Sequence, residues 1–188
     1  MNIVERAKRI CLSPDTEWPV IAGESATLGT LLTGYCLPLA AVSAAASLIG
    51  TSILGLGLGF TLRIAVMGLV TALVGVVALA FIVDALAPTF GAAKSIDNAA
   101  KVAAYAPTPA WIGGIFQIIP YLGSLVALLG ALYALYLLYL GLMRVMKSPP
   151  DKAVGYTVVV VLVCLIVGVV ASYITAMVGL GGGMRLYY

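Results

Sequence analysis

Few residues in this sequence can do chemistry. Histidine is absent, which removes imidazole general bases, haem ligation and the commonest transition-metal ligand. Cys11, Cys36 and Cys164 lie too far apart to make a metal or redox pair by spacing and read as free thiols. Asp84 is the one acidic residue inside a long apolar run, and a carboxylate in such surroundings is a candidate ion or proton site. It sits near the end of that run, so it can equally reach an interface and pair with Lys94 or Lys101. Pro107 and Pro109 each remove an amide donor and obstruct the carbonyl four residues earlier, which leaves Ala103 and Tyr105 without normal helical partners. Tyr105, Thr108 or water can satisfy such groups, and broken helices of this kind form binding sites in transporters. Asp84, Tyr105 and Thr108 are therefore the candidate ligand or ion site, with Pro107 and Pro109 as the candidate kink. The blander alternative is a bend that only shapes the fold.

Other features carry less. Tyr133, Tyr136 and Tyr139 recur every three residues, either lining a groove with hydroxyls or packing as an interfacial aromatic belt. Gly55, Gly57 and Gly59 mimic a phosphate loop but lack the Lys-Ser/Thr that must follow it. With a lone carboxylate and no histidine to activate a serine or cysteine, the sequence predicts no enzyme, no cofactor and no bound metal.

The elements that must position these residues follow from composition. Of the 188 residues, 63% are hydrophobic and 9% charged, with a mean hydropathy of +1.15. A soluble domain carries about 25% charged residues, so most of this chain's surface faces lipid. The net charge of +3 does not indicate nucleic-acid binding, because the basic residues are scattered among loops. Residues 1–12 hold Glu5, Arg6, Lys8 and Arg9 and lack the apolar core of a secretory signal.

Residues 1–25 read as an amphipathic segment at the cytoplasmic interface, two short helices broken at Ser13-Pro14, with Trp18 as a headgroup-level anchor. Five apolar runs follow, at about 26–50, 62–87, 99–119, 121–143 and 154–179, and residues 180–188 form a flexible outer tail. The glycine-rich stretch 51–61 is expected as a turn and 89–101 as an aqueous loop. From Pro109 to Ile119 there are only eleven residues, about 16 Å of helix, too short for about 30 Å of hydrocarbon. The third span must therefore start near Ala99 and pass through the kink, or else re-enter. With the N-terminus inside, the inner segments hold Arg6, Lys8, Arg9, Lys94, Lys101, Arg144, Lys147 and Lys152, against Arg63 and Arg185 outside. That eight-to-two bias favours an N-terminus in the cytoplasm, a C-terminus outside and an odd number of spans.

Small residues recur at four-residue spacing, Ala127, Gly130, Ala131 and Ala134 on the fourth span and Gly168, Ser172 and Ala176 on the fifth. They form a candidate helix-packing face, within one chain or between two. Gln117 is expected to hydrogen-bond a neighbouring helix, and Arg63 to snorkel.

The stretches SPDTEWPVIAGE, YCLPLA, ALAPTFGAAK, KVAAYAPTPAWIGGIFQIIPYLG and LYALYLLYLGLMRVMKSPPDKAVGYTVVV run over nearly the whole chain. In that order they resemble bacterial members of the Yip family, small five-span membrane proteins named for their interaction with Ypt/Rab GTPases. The resemblance implies an all-α polytopic bundle with a cytoplasmic N-terminus and no catalytic residues. It also implies an adaptor or membrane-shaping role, although the long cytosolic N-terminal region of eukaryotic relatives is absent here. The expected function is thus a non-enzymatic adaptor or organiser in the cytoplasmic (inner) membrane. Its partners would be membrane lipids, other membrane proteins or a second copy of itself, and no nucleic acid. The alternative is a transporter or channel for an ion, small solute or lipid that uses the proline-broken span.

Overall fold

The computed structural model describes residues 2–55, 57–119 and 121–183, with side-chain surroundings given through Val170 and at Tyr173. Among them every regular element is helical. Two short helices, α1 (Ile3–Leu12) and α2 (Pro14–Gly23), part at Ser13 and form a hairpin. Asn2 caps α1 by accepting from the amide of Val4, and Pro14 begins α2 where a missing N–H costs nothing.

The next helical run, Leu28–Ile53, is α3 (Leu28–Leu31), a π turn (Leu32–Cys36) and α4 (Leu37–Ile53). Pro38 cannot donate to the carbonyl of Gly34, and the ladder widens so that the amide of Leu37 reaches Leu32 instead. Then come α5 (Leu58–Leu86), a 3-10 turn (Ala87–Phe90), α6 (Ile96–Tyr105), α7 (Thr108–Ile115), a second 3-10 turn (Phe116–Ile118), α8 (Leu122–Arg144) and α9 (Pro150–Gly183).

Among the described residues four helical runs are long and apolar enough to cross a membrane: Leu28–Ile53, Leu58–Phe90, Leu122–Arg144 and Pro150–Val170. The expected run at 99–119 is instead two helices of 10 and 8 residues, about 15 and 12 Å long. They part where Pro107 ends the α6 ladder, while Pro109 falls in the first turn of α7, which tolerates it.

Other boundaries also move. The stretch 51–61 is mostly helical, with the turn confined to the residues around Gly55 (φ 76°). Thr51 and Ser52 are helical, and their hydroxyls donate back to the carbonyls of Ser47 and Leu48. In 89–101, helix α6 begins at Ile96 and Ser95 caps it. Helix α9 runs through Gly183, so part of the expected tail is helical, and Arg185 lies outside the described residues. So does Pro120, and the side chains of Ser172 and Ala176 likewise fall outside the description.

Two of the small residues of α8, Ala127 and Gly130, are spent within the chain. A side chain at Gly113 would sit 2.9 Å from the carbonyl of Val126 beside Ala127, and one at Gly130 would collide with the carbonyl of Pro109. Helices α7 and α8 therefore meet backbone to backbone. Ala134 is half-buried, whereas Ala131 is exposed and Gly168 has open space around it.

Candidate functional site

The polar groups of this molecule converge where the hairpin meets the bundle. Along α1 the buried positions are Arg6, Ala7 and Ile10, and along α2 they are Pro14, Glu17, Trp18 and Ile21. Each set follows the helical stripe spacing, so Arg6 and Glu17 lie on the faces that pack inward. The hairpin consequently docks into the bundle rather than lying on its surface. Trp18, expected as a headgroup anchor, is fully buried, its ring 2.9 Å from where a side chain at Gly141 would stand. Only a residue without a side chain on α8 admits an indole there.

Burying a guanidinium is costly unless it is paired and hydrogen-bonded. Arg6 is 3% exposed and forms ion pairs with both Glu17 and Glu24. It also lies over the ring of Tyr105, 5.5 Å from its centroid, a cation–π contact. Tyr105 in turn meets Tyr35 edge-on at 4.6 Å. The Tyr35 hydroxyl shares a hydrogen bond of 2.9 Å with Thr108, and the Thr108 hydroxyl donates to the carbonyl of Tyr105 at 2.7 Å. That carbonyl is the one Pro109 leaves unpartnered. The break at Pro107 is thus sealed by Thr108, with the π turn presenting Tyr35 to it. A cavity of about 290 Å³ adjoins this cluster, lined by Arg6, Glu24, Thr30, Gly34, Tyr35 and Tyr105.

Further contacts fix the hairpin. Lys101, expected in an aqueous loop, is 5% exposed, and its Nζ donates to the carbonyl of Ala22 at 3.3 Å and to Asn98 Oδ1 at 3.1 Å. The Tyr133 hydroxyl donates to the carbonyl of Cys11 at 2.9 Å. Burial pushes the Cys11 thiol up to about 11, so it stays protonated at neutral pH.

The structure brings Tyr105 and Thr108 together but leaves Asp84 out of their network. Asp84 Oδ2 lies 3.9 Å from Lys94 Nζ near the end of α5, and Oδ1 is buried without a hydrogen-bond partner among the described residues. The tyrosine row divides too. Tyr133 ties down the hairpin while Tyr136 is 44% exposed, so the row does not line one groove. Arg63 is exposed, and Gln117 makes no side-chain hydrogen bond among the described residues. Sequence reasoning missed Arg6, Glu17, Glu24 and Tyr35. The signal was present in the stripes 3-6-7-10 and 14-17-18-21, where a charge occupies a core position of each short helix.

A family model described as the Yip1 domain matches residues 8–172. No curated protein and no solved structure matches the chain.

Proposed function

The chain belongs to the Yip1 domain family and is an integral membrane protein, and on that premise we propose that it acts as a non-enzymatic membrane adaptor or organiser. The observation that carries this reading is the docked hairpin. Its inward face is locked by Arg6, Glu17 and Trp18, and its outward face presents Glu5, Lys8, Arg9 and Asp15 together with Leu12 and Val20. A preorganised surface of mixed charge and apolar side chains suits recognition, since little ordering entropy is lost on binding. Around the bundle, Ala131 and Gly168 remain open on lipid-facing helix sides, where close approach of another helix is permitted.

In this reading residues 1–25 are the cytoplasmic element, and α6–α7 is the third of five crossings, broken at Pro107. The register along the Leu28–Ile53 run supports the crossing: Thr108 lies against Tyr35, the carbonyl of Trp111 against Ser43 (2.7 Å) and Gln117 against Gly50. The charge bias then puts the N-terminus in the cytoplasm and the C-terminus outside the inner membrane.

Cross-linking in native membranes tests the proposal. The exposed reversal Lys8→Glu with Arg9→Glu is expected to abolish at least one reproducible protein cross-link while leaving the melting temperature unchanged. Retention of every partner by that variant and by Ala131→Leu and Gly168→Leu would refute it. A transport reading rests on the cavity beside Tyr105 and Thr108. It requires Thr108→Val or Asp84→Asn to lower solute flux in reconstituted vesicles, and unchanged flux in both removes it.

A further inference from the structure

Far from the hairpin, the seam between α4 and the α7 segment carries polar groups that the protein does not satisfy. Ser43 donates to the carbonyl of Trp111, and Thr51 to that of Ser47. By contrast, the Ser47 hydroxyl, the Gln117 carboxamide and the Ser124 hydroxyl make no hydrogen bond among the described residues. Two cavities meet at this place, of about 210 and 300 Å³, and Ser47 and Gln117 line both. The smaller is completed by Thr51, Tyr121 and Ser124. The larger continues along Trp111 and the apolar wall of α5 formed by Ile64, Ala65 and Leu69. Gly50 holds the seam in place, because its missing side chain lets α4 rest on the carbonyl of Gln117.

Ser47 and Gln117 are half-buried and Ser124 is exposed, so a ligand entering from the membrane can reach all three. Together they offer both donors and acceptors. No charged residue lines either cavity, so a ligand with a formal charge would lie there without a counter-charge. The polar corner joined to an apolar wall matches an amphiphile.

We propose that this is a lipid site that takes the hydroxyl and ester oxygens of an uncharged glycerolipid, diacylglycerol in chemical class, on Ser47 and Gln117, with an acyl chain along α5. The site is independent of the adaptor reading, and either stands without the other.

Trp111 provides the readout, since the other tryptophan, Trp18, is buried at the opposite end of the bundle. The full chain is reconstituted in phosphatidylcholine vesicles containing brominated diacylglycerol or brominated phosphatidylglycerol. The Trp111 signal is the difference between wild type and Trp111→Phe. Diacylglycerol is expected to quench it saturably, with a half-point at a mole fraction about fivefold lower than that of phosphatidylglycerol or better. Gln117→Leu should raise the diacylglycerol half-point about five- to tenfold, the scale of one lost hydrogen bond. Ser47→Ala should move it in the same direction and serves if Gln117→Leu fails to fold. Equal, unsaturable quenching by both lipids would overturn the site as annular contact. Tighter quenching by phosphatidylglycerol would overturn it in favour of a charged lipid held at the neighbouring Arg63. Unchanged half-points in the variants would overturn the assignment of Ser47 and Gln117.

Discussion

The hairpin end and the far end of this bundle are held together by different means. At the hairpin end large side chains close on one another: Ile10, Trp18, Ile21, Val83, Leu137, Leu142 and Tyr156 are 0% exposed. Toward the far end the buried positions are mostly small, among them Ala46, Gly50, Ala65, Gly113, Gly114 and Gly123 beside Thr61, while Leu54, Leu58 and Phe60 are more than half exposed. One end packs as a water-soluble core does, by interdigitating bulk. The other brings backbones together and leaves its bulk to lipid, where apolar side chains gain nothing by hiding. At the first end two carboxylates, Glu17 and Glu24, accompany a buried guanidinium, whereas at the second the half-buried Gln117 faces a cavity.

Burial also separates two arginines within α1, where Arg6 is buried and Arg9, which pairs with Glu5, is about half exposed. Arg6→Met strands Glu17 in a dry site and is expected to cost about 3–5 kcal/mol. Arg9→Met should cost less than about 1 kcal/mol. Chemical denaturation in mild detergent compares them, and similar losses would break the distinction between the buried and the exposed ion pair.

Glycines give the next test. Gly141→Val forces Trp18 from its seat and is expected to cost about 1–3 kcal/mol, with a red-shifted Trp18 emission. Gly168→Val has open space around it and should stay within about 0.5 kcal/mol. Thr108→Val removes the partner of both the Tyr35 hydroxyl and the Tyr105 carbonyl, a loss of about 1–3 kcal/mol by the same denaturation.

The last test is chemical. With its thiol raised from 9.0 to about 11, Cys11 in a Cys36→Ala, Cys164→Ala background should react with maleimide about a hundredfold more slowly than a free thiol at neutral pH. Undocking the hairpin with Arg6→Met should restore much of that rate. A fast reaction in the otherwise native protein would contradict the burial.

The all-helical membrane architecture was legible in the sequence because lipid imposes long, nearly charge-free runs that composition reveals at once. The proline break was legible too, since Pro107 and Pro109 act on a local ladder. The docking of the hairpin was not. Amphipathic helices that lie on a membrane and those that pack on a protein share one pattern, and only the partner distinguishes them. Arg6 and Glu17 occupied core positions of their stripes, a clue that stayed ambiguous because each is ordinary on an interfacial helix. Lys101 was misread for a related reason: its charge suggested water, whereas the carbonyl of Ala22, distant in sequence, receives it. The seam at Gln117 depends on the approach of Gly50, a contact between residues far apart in the chain that no local pattern encodes.

Hydrogen–deuterium exchange of the full chain in native nanodiscs tests the central claim, that α1 and α2 are a built-in part of the membrane domain. The account predicts that α2 amides exchange as slowly as those of Leu137–Leu142 in α8, and that Arg6→Met releases α2 while α8 stays protected. Rapid exchange of α2 in the unaltered protein, at the rate of an isolated helix, would contradict it.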